Sequence, residues 1–245
     1  MNTKQKNILI FTDGSSLGNP GPGGWGAVII ALSTEEVVEL GGLKPHTTNN
    51  EMELEAAVAA LAYTLSTADP IKIYTDSQYL INGVTKWIHN WERNGWKTKA
   101  GTEVKNRHQW ESLLQFLKMK KGKVEWVHLP SHVGIPGNER ADEIAQKFAQ
   151  GENPQLFRGR LSEYPIQNIA EIPRIEERRE LSEGKRKGKA YAYISLVDGV
   201  VERHKDWASC EARVKGKKAR YRKVFSGEEA KELEKEWLKE KGHKD

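Results

Sequence analysis

Four acidic residues stand at the ends of predicted secondary-structure elements, where side chains from different elements can meet. Clustered carboxylates repel one another, which makes their ionisation unfavourable and raises their pKa values. A divalent cation bound between them removes this repulsion. Oxygen-only ligands favour Mg²⁺ or Mn²⁺ over zinc, and two such ions about 4 Å apart can activate water for phosphodiester hydrolysis. An acid at a helix start taken singly is equally explained by the helix dipole. The four are Asp13 and Asp76, which end predicted strands, and Glu53 and Asp142, which lie near the starts of predicted helices.

The stretch Gly21-Pro22-Gly23-Gly24-Trp25-Gly26 has the letters of a dinucleotide-binding fingerprint, G-x-G-x-x-G. In that fingerprint the last glycine opens a helix whose N-terminus faces a pyrophosphate. Here an apolar, β-branched run follows instead and predicts a strand, so we reject a nucleotide cofactor. We expect these glycines to form a hairpin loop with positive φ values that approaches the backbone of a ligand.

Hydrophobic periodicity predicts the elements that position the acids. Three strands joined by short turns indicate an antiparallel meander, and the helices between the later strands imply parallel pairing. The sheet is therefore predicted to be mixed, in an α/β fold. The predicted strands span residues 8–12, 25–32, 36–40, 71–74 and 124–128, and the predicted helices span residues 51–66, 78–84, 104–119 and 138–149.

The chain divides into three regions by its pattern. Residues 1–150 form the main domain, and periodicity fades over residues 151–188, where prolines and a charged run predict a linker with a short helix near 174–181. Residues 189–245 predict a small α+β unit in the order strand, strand, helix, strand, helix, and Ser226 with Glu229 forms a capping box before its last helix.

Composition limits the class of protein. The 245 residues are 37% hydrophobic and 30% charged, which is too polar for a membrane protein, and the beginning lacks a secretory apolar segment. One cysteine, Cys210, fits a reducing compartment, so a cytoplasmic location is expected. The net charge is +5, and basic residues concentrate between Arg203 and Lys223, which favours a polyanionic partner over a merely solvated face.

The four acids lie in stretches that together resemble the motifs of ribonuclease H type 1, in order and in spacing. The resemblance runs from about residue 8 to residue 149 and includes WIHNWERNGWKT and HVGIPGNERAD. It implies a ribonuclease H fold, with a mixed five-stranded sheet flanked by helices, and an endoribonuclease that cleaves the RNA strand of RNA–DNA hybrids. The four stretches are IFTDGS, TNNEMEL, YTDSQY and GNERAD.

The resemblance also implies roles for five residues. Asp13 would lie between two Mg²⁺ ions, Asp142 would complete one site, and Glu53 with Asp76 would complete the other; Mn²⁺ remains an alternative. His132 matches the family's loop histidine, which assists proton transfer or product release, so its loss is expected to cost less activity than the loss of Asp13.

Amide side chains are suited to reading a hybrid, because each offers both a donor and an acceptor to a 2′-hydroxyl. By the resemblance, four amides contact the minor groove, although turns and helix caps explain them equally well when considered alone. Thr48 and Asn106 match the family's DNA-phosphate pocket, but His46 stands where some members carry arginine. The four amides are Asn19, Asn49, Asn50 and Gln78.

Tryptophans alternate with basic residues in WIHNWERNGWKTKAG, which suggests a channel where rings pack sugars and cations hold phosphates. The stretch resembles the family's basic protrusion, in which Trp87 and Trp91 would flank the DNA backbone. A helix that buries its tryptophans in the core is the alternative.

The last region, about residues 189–239, resembles the small hybrid-binding domain of many ribonucleases H1. By that resemblance Trp207 and Tyr221 contact the DNA strand, while Arg222 and Lys223 bind phosphates. The module usually precedes the catalytic domain, whereas here it follows. A small basic protein-interaction domain with Trp207 in its core is the alternative.

The sequence thus predicts a monomeric ribonuclease H that binds RNA–DNA hybrids and neither a membrane nor an obligatory protein partner. Two rivals stay open: another nuclease or transposase on the same fold, and a hybrid-binding protein without catalysis.

Overall fold

A computed structural model of the chain describes residues 7–131, 134–172, 191–215, 217 and 219–239. The chain divides into two compact units, unit 1 (Met1–Glu180) and unit 2 (Leu181–Asp245), each of which is described by itself. Within the described residues, no helix is both long enough and apolar enough to cross a membrane.

Unit 1 is built on one mixed sheet. Its strand order is β5-β4-β1-β2-β3-β6; β1, β2 and β3 form an antiparallel meander, while β4 and β5 run parallel to β1. The strands are β1 (Ile8–Ser16), β2 (Gly21–Ala31), β3 (Glu36–Thr47), β4 (Ile71–Thr75), β5 (Val124–His128) and β6 (Arg158–Arg160).

Helices flank this sheet, so the predicted α/β fold is confirmed. The helix predicted at 78–84 continues to Arg93, and it consists of three consecutive pieces with a π-helical turn at Gly83–Trp87 between α2 and α3. The predicted helix at 104–119 starts three residues later than expected, because Asn106 has a left-handed backbone with φ 57°. The helices are α1 (Asn49–Tyr63), α2 (Gln78–Asn82), α3 (Ile88–Arg93), α4 (Arg107–Met119) and α5 (Pro136–Ala149).

Alternation along the strands gives the sheet two buried faces. Ile8 and Ile10 of β1 pack with α1 and with the fully buried Trp110 of α4, while Phe11, on the opposite face, packs with Ile144 of α5. Burial of apolar area on both faces supplies the main stabilising free energy, and it holds the helices that carry Glu53 and Asp142 against the strand that carries Asp13.

The five-strand prediction is wrong by one strand. β6 pairs antiparallel with β3, so that Gly159 lies opposite Val37. The first part of the predicted linker is also corrected. Apolar residues between positions 156 and 172 pack on the α5 face of the sheet, so this segment belongs to the core of unit 1. The three residues Arg158–Arg160, Arg-Gly-Arg, are too short and too polar to carry a periodic signal, which is why the strand was missed. The helix predicted near 174–181 lies outside the described residues.

The glycine-rich stretch is also corrected. Gly21, Gly23, Gly24 and Gly26 belong to β2, and positive φ occurs only before them, at Gly18 in the β1–β2 turn. Helix α5 lies directly on this strand: a Cβ on Gly24 would stand 2.5 Å from Phe148 Cβ, closer than real carbon atoms approach. Gly24 and Gly26 therefore allow close packing of α5 on the sheet.

Unit 2 is a three-stranded antiparallel sheet with strand order β8-β7-β9. Helix α6 packs on one face with Cys210 and Val214, and helix α7 packs on the other with Leu233 and Trp237. The predicted order of its elements is confirmed. They are β7 (Ala192–Val197), β8 (Val200–His204), α6 (Trp207–Val214), β9 (Ala219–Val224) and α7 (Gly227–Lys239).

Candidate active site

Parallel pairing brings the first two carboxylates together. β1 and β4 pair from Ile8↔Ile71 to Phe11↔Tyr74, so Asp13 and Asp76 follow the last registered pair by two residues each. Because the carboxyl ends of parallel strands lie at one edge of a sheet, the side chains face one cleft. This register agrees with the prediction that Asp13 and Asp76 lie close together.

Glu53 reaches the same place because Gly14 lacks a side chain. A Cβ on Gly14 would overlap the backbone nitrogen of Glu53, so α1 crosses β1 at backbone contact distance. Thr48 caps the N-terminus of this helix, and its hydroxyl accepts a hydrogen bond from the Glu51 amide. The cap and the glycine together fix where the first turns of α1 stand relative to Asp13.

Asp142 comes from the opposite side of the sheet, on α5. A Cβ on Gly26 would stand 2.8 Å from Ile144 Cβ, so this helix too rests against bare strand backbone. All four carboxylates line one open cleft of about 460 Å³. Its other lining residues are Gly14, Ser15, Asn49, Asn50, Ser77, Gln78, Tyr79, Ser131 and Gln146.

The cleft makes ionisation of two acids unfavourable. Burial, reinforced by the charges of Asp76 and Asp142, raises the pKa of Asp13 from 3.8 to about 8, despite a hydrogen bond from the Gly14 amide at 2.7 Å. Burial likewise raises the pKa of Glu53 from 4.5 to about 7, although the Ser77 hydroxyl opposes this. The cleft therefore holds protons that the cation-free chain would release on unfolding at neutral pH.

Neighbouring side chains orient the acids, and sequence reasoning missed two of them. Asn49 Nδ2 donates to Glu53 Oε1 at 3.0 Å, and the Ser77 hydroxyl donates to the other Glu53 oxygen. Gln146 Nε2 donates to Asp142 Oδ1 at 2.6 Å. Gln146 follows Asp142 by one helical turn, so the spacing could have predicted this contact.

The donor set has the charge and chemistry that Mg²⁺ or Mn²⁺ requires, since oxygen atoms of four carboxylates face one cleft. Throughout the described ranges, however, no three acidic, histidine or cysteine side chains already stand at coordinating spacing. A cation would therefore draw the carboxylates together against the repulsion that raises the pKa of Asp13.

The cation-free chain should lose stability as pH rises. The pKa values of Asp13 and Glu53 are higher in the folded than in the unfolded chain, so the folded chain binds more protons between about pH 4 and pH 8. The free energy of unfolding then falls with pH across that window and levels off above it.

We expect the unfolding temperature in EDTA to fall on the order of 5 °C between pH 5.5 and pH 8.5 beyond the change seen in Asp13→Asn. Mg²⁺ should restore most of it at pH 8.5. Differential scanning calorimetry of the wild type and Asp13→Asn in EDTA measures the two unfolding temperatures as a function of pH. If both chains lost the same number of degrees between pH 5.5 and pH 8.5, the elevated pKa of Asp13 would be contradicted.

The predicted substrate amides lie in different places. The exposed Asn50 and Gln78 line the cleft, and Asn49 lines it while bonded to Glu53. Asn19 is exposed in the β1–β2 turn and is not among the cleft's lining residues. His132 lies outside the described residues.

A cluster of aromatic rings borders the cleft on the side of α2 and α3. Tyr79 lines the cleft and contacts the rings of Trp87 and Trp110 at centroid distances of 6.1 and 5.4 Å. Its hydroxyl accepts hydrogen bonds from Trp110 Nε1 at 3.0 Å and from Asn106 Nδ2 at 3.4 Å. The side-chain amide of Asn106 is thus hydrogen-bonded to the aromatic cluster.

Trp87 and Trp91 are partly exposed and line a second hollow of about 400 Å³ with Lys97 and Lys99. Trp91 also packs on the core at Trp110, as the core alternative expects for this residue. Trp96 is corrected: it is 8% exposed and belongs to the core.

Three aromatic rings lie in a row on the α6 face of unit 2. Trp207 is 38% exposed, with its ring centroid 5.5 Å from Tyr193 and 5.2 Å from Tyr221. Tyr221 and Lys223 pair with Ser195 and Tyr193, so they share this face. Trp207 is therefore not buried in the core of unit 2, contrary to what the alternative expected.

Arg222 pairs with Ile194, whose side chain packs with α7, so Arg222 projects from the opposite face of the sheet. The four predicted hybrid-binding residues therefore do not form one surface. The period of two along a strand, applied to β9, could have predicted this separation.

Comparison with known proteins decides the family. The RNase H family model, described as RNase H, matches residues 5–150. The chain belongs to the RNase H family. A ribonuclease H of Pseudomonas paraeruginosa is 45% identical over 145 residues, which cover 59% of this chain and 95% of the relative. A ribonuclease H of Bradyrhizobium sp. (strain ORS 278) is 50% identical over 139 residues, 57% and 87% of the two chains.

These relatives confirm the predicted enzyme class, ribonuclease H. Among solved structures, LC9-RNase H1, a type 1 RNase H with the type 2 active-site motif, superposes with a TM-score of 0.54 at 27% identity, over 69% of this chain and 86% of that one. A foamy viral protease–reverse transcriptase in complex with RNA/DNA hybrid shares the fold, with a TM-score of 0.52 at 20% identity over 62% of this chain and 21% of that one. Unit 2 lies beyond the matched residues 5–150.

Proposed function

We propose that this RNase H family member hydrolyses the RNA strand of RNA–DNA hybrids, using divalent ions held by the four carboxylates of the cleft. The observation that carries the proposal is the convergence of Asp13, Glu53, Asp76 and Asp142 on one cleft, inside the region that matches the family. Two Mg²⁺ ions, when bound, supply activation of a water molecule and stabilisation of the leaving oxygen.

The chain's own residues prepare the cleft for those ions. The charges of Asp76, Asp142 and Glu53 all act on the buried Asp13. Asn49 and Ser77 each donate a hydrogen bond to a different oxygen of Glu53, which fixes its orientation. Gln146 does the same for one oxygen of Asp142. Such supporting hydrogen bonds typically affect metal affinity by about 10- to 100-fold.

The surroundings of the cleft favour a hybrid as substrate. Asn50 and Gln78 present donors and acceptors at the rim, as reading of a 2′-hydroxyl requires. The hollow of Trp87 and Trp91 with two lysines can receive the sugar–phosphate backbone of the other strand. His132 is proposed to assist turnover, as the family resemblance implies.

Incubation of labelled RNA–DNA hybrid, duplex RNA and duplex DNA, each with and without Mg²⁺, tests the proposal. We expect cleavage of the RNA strand of the hybrid alone, and only with Mg²⁺. Cleavage of duplex DNA would support another nuclease on this fold. Binding of the hybrid without cleavage would support a non-catalytic hybrid-binding protein.

We propose further that unit 2 binds the hybrid and raises its local concentration at the cleft. The aromatic row of Tyr193, Trp207 and Tyr221, with Lys223 beside it, offers stacking and charge on one exposed face. Joining two binding units in one chain makes the second binding event intramolecular.

Removal of residues 181–245 should weaken hybrid capture without slowing chemistry. Stacking of a base on an aromatic ring contributes about 1–3 kcal/mol, so we expect kcat/KM to fall about 10- to 100-fold while kcat stays within about twofold. Steady-state kinetics at several salt concentrations measures this. The double variant Trp207→Ala, Tyr221→Ala should show the same fall in kcat/KM as the deletion. A fall in kcat at saturating substrate would refute the proposal that unit 2 binds the hybrid without taking part in cleavage.

A further inference from the structure

The carboxylate of Glu39, on β3, is buried outside the cleft with a side-chain exposure of 1%. Both of its oxygens are engaged by α5: Arg140 Nε donates to Oε1 at 2.7 Å, and Arg140 Nη2 donates to Oε2 at 2.9 Å. A two-point contact between a guanidinium and a carboxylate fixes orientation as well as distance.

Residues beyond the family match complete this pair. The Tyr164 hydroxyl donates to Glu39 Oε1, and the Phe157 amide donates to Oε2 at 2.9 Å. The Gln155 carbonyl accepts from Arg140 Nη2 at 3.4 Å. Two donors thus reach each Glu39 oxygen. Burial alone would raise the pKa of Glu39, but the hydrogen bonds from Arg140 and Tyr164 outweigh it and hold the pKa below its usual value.

Arg140 precedes Asp142 by two residues on α5. Two residues of an α-helix turn the side-chain direction by about 200°, so these side chains leave the helix on opposite sides. Ala141 between them is fully buried, and its carbonyl would overlap a Cβ on Gly26. Any rotation of α5 that moved Asp142 in the cleft would therefore pull Arg140 off Glu39.

The segment that carries Tyr164 is fixed to the same core. The Tyr164 ring packs edge-on against Phe157 at a centroid distance of 4.9 Å, in the hydrophobic cluster that includes Ile144 and Phe148 of α5. Removal of the hydroxyl alone would leave this packing in place and leave one lone pair of a buried carboxylate without its donor.

We infer that Tyr164 is a positioning residue, which holds the Glu39–Arg140 pair and thereby sets the rotation of α5 that directs Asp142 into the cleft. The inference rests on the proposed function, in which Asp142 holds a divalent ion. It assigns a role in ion binding to a residue 14 positions beyond the end of the family match at residue 150.

The test compares Tyr164→Phe with the wild-type chain and with Tyr63→Phe, the same chemical change at a 42% exposed tyrosine of α1. We expect Tyr164→Phe to raise the Mg²⁺ concentration that gives half-maximal cleavage about 3- to 10-fold, with KM for the hybrid within about twofold. The rise in unfolding temperature caused by a fixed Mg²⁺ concentration should shrink. Tyr63→Phe should change neither quantity.

A lower unfolding temperature of Tyr164→Phe without Mg²⁺, together with an unchanged Mg²⁺ requirement, would reduce Tyr164 to a structural residue and overturn the inference. Glu39→Gln, which keeps the side-chain shape, should shift the Mg²⁺ requirement in the same direction and further. If Glu39→Gln does not fold, Tyr164→Phe decides alone.

The calorimetric readout separates this inference from the proposed function. A wild-type chain that Mg²⁺ stabilises, less so in Tyr164→Phe, but that cleaves no hybrid would support the inference and refute the proposed activity. A chain that cleaves hybrid with the same Mg²⁺ response in both forms would refute the inference and leave the activity standing.

Discussion

Asp13→Asn is expected to lower the rate of hybrid cleavage at least about 10³-fold while hybrid binding changes by less than about threefold. The side chain keeps its size, but it loses the charge on which the divalent ions would depend. Burial and the neighbouring acids make that charge costly without ions, so the variant should also unfold at a higher temperature than the wild type in EDTA at pH 8.5.

Single-turnover cleavage and fluorescence anisotropy with labelled hybrid measure the two effects separately. Asp198→Asn is the matched control, because Asp198 is exposed in the β7–β8 turn at φ 50°, where asparagine fits equally well. A variant at position 13 that kept more than about a tenth of the wild-type rate would refute the assignment of Asp13 to the ion site.

Gly14→Ala is expected to abolish most activity through a single methyl group. The new Cβ would overlap the backbone of Met52 and Glu53, and backbone cannot move aside as a flexible side chain can. Helix α1 must then shift away from β1, which carries Glu53 away from Asp13. Overpacking of this kind costs about 1–3 kcal/mol of stability, or roughly 2–10 °C in unfolding temperature.

We expect the cleavage rate of Gly14→Ala to fall at least about 10²-fold at Mg²⁺ concentrations that saturate the wild type. Gly227→Ala serves as control, since the nearest atom to its new Cβ is the Tyr191 hydroxyl at 3.2 Å and the position opens a helix. Its stability should change by less than about 0.5 kcal/mol. Wild-type activity in Gly14→Ala would show that close packing of α1 is not needed at the cleft.

The main sheet and its helices could be predicted because long apolar periods determine them. The runs before Asp13 and Asp76 are buried strands, and parallel pairing required their ends to meet. Strand pairing does not place Glu53 in the cleft, because the distance at which α1 crosses β1 depends on the absence of a side chain at Gly14, a contact between residues distant in sequence.

The segment after α5 shows a second limit of sequence reasoning. Prolines and charged neighbours gave residues 154–172 the composition of a linker, yet single apolar residues such as Phe157 and Tyr164 attach it to the core. Irregular backbone can pack as firmly as a helix when scattered apolar side chains find a shared surface, and no local period reveals that. The donor partners of Glu39 were hidden for the same reason, since more than 100 residues separate Glu39 from Arg140.

The three residues of β6 change what the sheet presents to other molecules. Without them, the free edge on that side would be β3, a 12-residue strand whose second and third residues are the apolar Val37 and Val38. Such an open edge is a template for pairing with strands of other chains. β6 replaces it, over Glu36 to Val38, with a short edge flanked by the exposed Arg158 and Arg160. Charge and shortness discourage the pairing of a further strand along this part of the sheet edge.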